Sequence, residues 1–182
     1  MSGRVAHRDR DLASFESATR VAVVAALSAT CMLFASVGSA YLVRRSFGDW
    51  AQPAFVLWPG VLLAFAFVTS IGIEAGSRTL GRSQRRAFRA AAVASGLYLL
   101  SALGVIVSIA FEGRLTAPHS AFVVLLLRVH FGHSILGVAF AGWILRESVD
   151  VAVANSMHLV RLVTHFLTAI LLAIVLLLFA RL

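Results

Sequence analysis

The sequence predicts an all-α integral membrane protein: a bundle of five transmembrane helices, N-terminus cytoplasmic and C-terminus outside. Three observations carry that prediction. Hydrophobic residues make up 60% of the chain and charged residues only 13%, a balance foreign to soluble domains of this length. Five apolar runs, at 21–43, 54–75, 90–111, 120–145 and 159–180, each reach the roughly 20 residues that span about 30 Å of hydrocarbon as a helix. The charges then orient the runs. All sixteen basic residues are arginine, and Arg4, Arg8, Arg10 and Arg20 precede the first run while Arg78, Arg82, Arg85, Arg86 and Arg89 follow the second. Basic segments stay on the cytoplasmic side, so both of these lie there. Helices rather than barrel strands follow, because no dyad alternation is present and each helix satisfies its own backbone.

Residues 1–19 read as a polar cytoplasmic tail, with a short interfacial helix around Asp11–Thr19, and residues 20–182 as one membrane domain. The stretch Ser36-Val37-Gly38-Ser39-Ala40 mimics a signal-peptide cleavage site. Asp9, Asp11 and Glu16 in the preceding segment, and the apolar run continuing to Val43, instead make the first helix a retained span. Trp50 and Pro53 occupy the first loop, and Trp58-Pro59 opens the second helix where proline costs no internal hydrogen bond. Trp58, Trp143 and Tyr41 suit an interfacial aromatic belt, whereas Tyr98, mid-run, should pack inside. Small residues at Ala35, Ser36, Gly38, Ser39 and Ala40, at Ala94, Ser95, Gly96 and Ser101, and at Gly132 and Gly137 predict close helix contacts. Short loops make sequential helices antiparallel neighbours. Cys31 is the single cysteine, so no internal disulfide forms.

The net charge of +8 does not imply nucleic acid, because the arginines sit beside helix ends. Arg78, Arg82 and Arg85 are instead expected to meet anionic phospholipid headgroups on the cytoplasmic side. Chemistry inside the membrane rests on a few polar side chains, which are costly there and face the bundle interior. His130 and His133 share a face of the fourth helix, and His158, Arg161 and His165 form a stripe on the fifth. Helical rise places His133 and His165 at similar depth, which predicts a contact between them. Arg128 lies deep enough to need a partner, whereas Arg161 is near enough to the inner end to snorkel. Glu74 is placed to pair with Arg78 one turn on, and Glu112 closes the third helix where water reaches it. Three readings of the histidines stand: hydrogen-bonded ties between helices, axial ligands of a b-type haem, or a metal or proton-relay site. The first is preferred, because no Asp or Glu lies near them on their own helices. No nucleophile, phosphate loop or carboxylate dyad is present, so no catalytic, cofactor or metal residue is assigned.

The order of these features resembles subunit III of the haem-copper oxidases in its short five-helix bacterial form. Gly38-Ser39-Ala40-Tyr41-Leu42-Val43-Arg44 is similar to the end of that family's first helix, and Trp58-Pro59 with Thr69-Ser70 to positions of its second. Phe111-Glu112 resembles the Phe/Tyr-Glu that closes the next. Phe122 through His130 and His133, with Leu136-Gly137 after them, resembles the family's Phe-to-His-x-x-His pattern with one residue more in the first spacing. His165-Phe166 matches the His-Phe of the last helix. The resemblance covers nearly the whole chain. It departs at Thr30, where the family usually has Glu, and at Thr168, where it commonly has Asp. A proton-related role attached to those carboxylates therefore does not carry over; the chain resembles a divergent member, with the nitric-oxide-reductase-associated branch of the family as an open alternative.

The resemblance implies a non-catalytic subunit of a respiratory oxidase in the bacterial inner membrane. It would have no redox cofactor of its own, the haem and copper being held by subunits I and II. It would pack mainly on subunit I, hold phospholipid and support proton uptake, with cytochrome c or quinol as the complex's donor. The alternative is a stand-alone haem-b electron-transfer bundle using His130 or His133 with His165; a small transporter is a weaker third.

Overall fold

The computed structural model describes residues 2–47, 58–78, 82–111, 118–147 and 153–179. All regular structure among them is helical: α1 (Ser2–Arg45), α2 (Trp58–Arg78), α3 (Arg82–Phe111), α4 (Pro118–Glu147) and α5 (Val153–Phe179). Each contains a segment long and apolar enough to cross a membrane, and together they make this a multi-pass membrane protein. The helices outrun the apolar runs at polar ends. α1 starts at Ser2, so the expected separate helix around Asp11–Thr19 is instead continuous with the first span. No proline and only Gly3 interrupt residues 2–37, and the alanines and arginines there favour helix on their own. α3 likewise begins in the arginine-rich segment, at Arg82 rather than residue 90. Pro59 and Pro118 both sit in first turns, as their missing N–H permits. Trp50 and Pro53 lie outside the described residues.

α2, α3, α4 and α5 close into a four-helix ring, each touching the next and α5 returning to α2. α1 stands outside this ring. It packs on α4 and α5 and, among the described residues, not on α2, so the antiparallel-neighbour rule fails at this one step. The reason is the stripe α1 offers: Thr30, Phe34 and Tyr41 are its buried residues, one helical face. Phe34 joins Leu126 and Ile174 in a core cluster, and the Tyr41 ring stands edge-on to Phe122 with centroids 6.0 Å apart. Tyr41 is 1% exposed, so it belongs to the core and not to an aromatic belt; Trp58 and Trp143 are exposed near helix ends, as a belt requires.

Two apolar layers fill the ring. The larger, with Leu62, Tyr98, Ala102, Val105, Val124, Leu127 and Leu171, occupies the half away from Arg78. The smaller, with Ile73, Ala91 and Val160, lies near the arginine-rich end. Polar side chains border both layers. The close α2–α3 approach depends on Gly72: a Cβ there would lie 2.9 Å from Ala91 Cβ and 3.2 Å from the Ala87 carbonyl oxygen. Because the obstruction includes backbone, Gly72→Ala should destabilise the detergent-solubilised chain by about 1–3 kcal/mol in an SDS unfolding titration. Gly104→Ala, whose Cβ would meet nothing within 4 Å, is the control and should not. Of the small residues expected to make contacts on α3, Ala94 is buried and Ser95 reaches Thr69, whereas a Cβ on Gly96 would meet nothing within 4 Å. On α1 Gly38 lies against α5, where a Cβ would be 3.4 Å from Leu177 Cδ2, while Ala35, Ser36, Ser39 and Ala40 are exposed.

Candidate functional site: the polar layer

Two hydrogen-bonded centres build the polar layer. The first is Glu74, on the inward side of α2. Its carboxylate accepts from Arg161 of α5 through two bonds, Nε to Oε2 at 2.6 Å and Nη2 to Oε1 at 2.8 Å. This fork geometry suits a guanidinium and a carboxylate in two parallel bonds. Arg78, one turn along α2, adds a bond from Nε to Oε1 at 2.6 Å. His165 of α5 completes the cluster, with Nε2 3.2 Å from Oε2. An ionised carboxylate only accepts, so Nε2 donates there, and Nδ1 shares a hydrogen bond with the Ser70 hydroxyl, its other partner. One anion thus faces two guanidinium groups and an imidazole, and α2 is tied to α5 by Ser70 and Glu74 together.

The second centre is His130, which is 2% exposed. Its Nε2 lies 2.9 Å from the Leu167 carbonyl of α5, so it must donate there. Nδ1 is then the acceptor, and the Tyr98 hydroxyl of α3 donates to it at 2.5 Å. One imidazole therefore joins three helices, with the Tyr98 ring edge-on at 5.8 Å and Phe34 of α1 at 6.2 Å. Around it, Ser134 donates to the His130 carbonyl, Ser95 reaches Thr69, and Thr168 reaches both Ala66 and Thr164 carbonyls. A cavity of about 180 Å³ opens beside this centre, lined among others by Thr69, Tyr98, His130, Ser134, Gly137 and Thr164.

The structure sorts the sequence-predicted residues unevenly. The Glu74–Arg78 pair is present. Arg161 does not simply snorkel; it is Glu74's main partner. The expected His133–His165 contact is absent among the described residues: His133 bonds through Nδ1 to the Val129 carbonyl of its own helix at 2.7 Å, and its ring is tilted by 59° to Phe34 with centroids 5.9 Å apart. Equal depth did not mean facing sides, since His133 looks toward α1 and His165 toward α2. The single replacements His133→Ala and His165→Ala should accordingly be additive, within about 0.5 kcal/mol, when unfolding of the double variant is compared with the two singles. Coupling above that would mean the rings do interact. Arg128 is exposed and has no hydrogen bond or ion pair among the described residues. Glu112, and the side chains of Arg82 and Arg85, lie outside the described residues. Arg78, expected at lipid headgroups, has an exposed side chain bound to Glu74. Gly137 does pack closely, its missing Cβ leaving room for Leu167 Cδ1, whereas Gly132 borders open space.

Sequence reasoning missed Tyr98 as the donor to His130 and Ser70 as the partner of His165. The available signal was spacing: Ser70 and Glu74 stand four apart on α2, as do Arg161 and His165 on α5, so two helical turns can meet side by side. It also took the lack of acidic residues on the histidines' own helices as a lack of partners, whereas α2 supplies the carboxylate. Comparison with protein-family models, with curated proteins and with solved structures finds no match.

Proposed function

We propose that this chain is a non-catalytic, subunit III-like component of a respiratory haem-copper oxidase complex in a bacterial cytoplasmic membrane. In this reading the N-terminus and the Arg78–Arg89 segment face the cytoplasm and the C-terminus lies outside. The chain packs on subunit I and stabilises it, while haem and copper reside in subunits I and II. One observation carries the reading: residues that bear the resemblance, distant in sequence, meet at helix–helix contacts. Tyr41 meets Phe122, Ser70 bonds His165, and Gly137 makes room for Leu167, whose carbonyl binds His130. Polar side chains spent on tying helices together suit an assembly partner more than a reaction centre.

Phospholipid binding follows the same logic. The cavity beside His130 is wide enough for part of an acyl chain and reaches along α3 toward Phe88, near the exposed Arg86 and Arg89. Support of proton uptake would have to run without carboxylates at positions 30 and 168. Thr30 donates to the Ala26 carbonyl of its own helix instead, and the membrane carboxylate of this chain is Glu74.

The alternative, a haem-b bundle using His130 or His133 with His165, meets a geometric obstacle. Axial ligation needs a free imidazole nitrogen, and both nitrogens of His130 and of His165 are engaged by protein groups. A reduced-minus-oxidised absorption spectrum of the chain purified alone separates the two. The subunit reading expects no haem band. A b-type band that disappears in His165→Ala would replace that reading with an electron carrier.

A further inference from the structure

We propose that the outward stripe of α4 centred on Arg128 docks a helix of a different membrane protein, one carrying an aspartate or glutamate opposite the guanidinium. The inference rests on the subunit reading for the existence of a partner, and adds the face and the charge that receive it. Arg128 stands eight residues inside the apolar segment Ser120–Trp143, about 12 Å along the helix. It is exposed on the bundle surface and unpaired among the described residues. A permanently charged guanidinium in hydrocarbon is costly and marks a partner or a polar path. Helical side chains lean toward the N-terminus of their helix, so the charge lies beside the turn containing Val124 and Leu125.

The surface around it is built for a helix. Leu125, Ile135 and Leu136 are exposed on the same side, between the edge that meets α3 through Val124 and Leu127 and the edge that meets α1 through Leu126. Gly132, one turn from Arg128, serves no contact within the chain: a Cβ there would meet nothing within 4 Å. That contrasts with Gly72 and Gly137, each of which admits a neighbour. A glycine beside an unpaired cation lets a second backbone approach while a carboxylate reaches across.

A second copy of this chain fits poorly. A two-fold axis along the membrane normal would bring Arg128 against Arg128 at one depth. Glu74, the carboxylate within the described membrane segments, lies toward the other end of the bundle and is already held by Arg161 and Arg78. The occupant is therefore a different chain with an intramembrane carboxylate.

Photo-cross-linking in the native membranes tests this, with benzoylphenylalanine placed at Leu125 or Ile135, and at Val93 or Leu100 of α3 as controls. The α4 positions should yield an adduct whose cross-linked peptide is an apolar segment of another protein containing Asp or Glu. Arg128→Gln should reduce it by at least about tenfold, Arg128→Lys should retain it, and Arg128→Glu should be rescued by arginine at the partner's carboxylate. Thermal unfolding of the isolated Arg128→Gln chain should match wild type, since the side chain has no hydrogen bond or ion pair among the described residues. Adducts to a second copy, adducts to phospholipid alone, no α4 adduct, or adducts undiminished by Arg128→Gln would each overturn the proposal. A partner that meets these criteria but belongs to no haem-bearing complex upholds the docking face and removes the subunit reading. Co-purification with a haem protein without the α4 adduct does the reverse.

Discussion

Glu74→Gln is expected to lower the unfolding midpoint of the detergent-solubilised chain by several degrees. The change keeps the shape of the side chain and removes its charge. Arg161 and Arg78 would then face one another with no anion between them, and the single amide oxygen could not serve the donors that now bond both carboxylate oxygens. Removing one member of a charge cluster costs more than the cluster contributes, because the remaining charge is left without a partner. The expected pattern across variants follows from exposure. Arg78→Gln should have little effect, since that side chain is 72% exposed and its pairing is screened. Glu74→Gln combined with Arg161→Gln should lose less than the sum of the singles, and Glu74→Leu with Arg161→Met should recover most of the loss. Circular-dichroism melts of these five variants check this. Strict additivity of Glu74→Gln and Arg161→Gln would mean that the pair contributes nothing to the α2–α5 contact.

His130→Leu should cost about 2–3 kcal/mol, measured by SDS unfolding titration, although leucine is close to histidine in volume. Two cross-helix bonds disappear, and the groups left behind matter more than the bonds. The Tyr98 hydroxyl, on a side chain 5% exposed, loses its acceptor, and the Leu167 carbonyl loses an additional donor. Tyr98→Phe in the His130→Leu background removes the orphaned hydroxyl and should restore part of the stability. The double-mutant cycle should show a coupling of about 1 kcal/mol between the two residues. If Tyr98→Phe costs the same in both backgrounds, the Tyr98–His130 bond is not holding α3 to α4.

The five helices were legible because the signal for each is local: about 20 apolar residues suffice to declare a span. Their ends were less so. Arginine-rich segments at 2–16 and 82–89 are polar yet helical, and hydropathy cannot separate a polar helix from a polar loop. Placement of α1 was not legible at all, since its buried stripe of Thr30, Phe34 and Tyr41 specifies a face and not which helix meets it. The same limit governed the polar layer. Spacing put His158, Arg161 and His165 on one stripe of α5, of which Arg161 and His165 meet Glu74; His130 and His133, expected to share a face of α4, both lie beside the Phe34 ring. It did not say that Glu74, 87 positions before Arg161, would be the residue across the gap. Depth from helical rise was sound for His133 and His165, and the angle about each helix axis was the missing coordinate. Arg128 was expected to have a partner, and none is present among the described residues.

We propose that this bundle works as an assembly partner of a haem-copper oxidase. Its most direct test is extraction of the native membranes in mild detergent, purification through a tag on this chain, and measurement of haem, copper and oxygen consumption in the product. The account predicts a haem- and copper-containing complex with oxidase or nitric-oxide-reductase activity, and a colourless chain once the complex is dissociated. A chain that purifies without any haem protein under conditions that keep other respiratory complexes intact would contradict it.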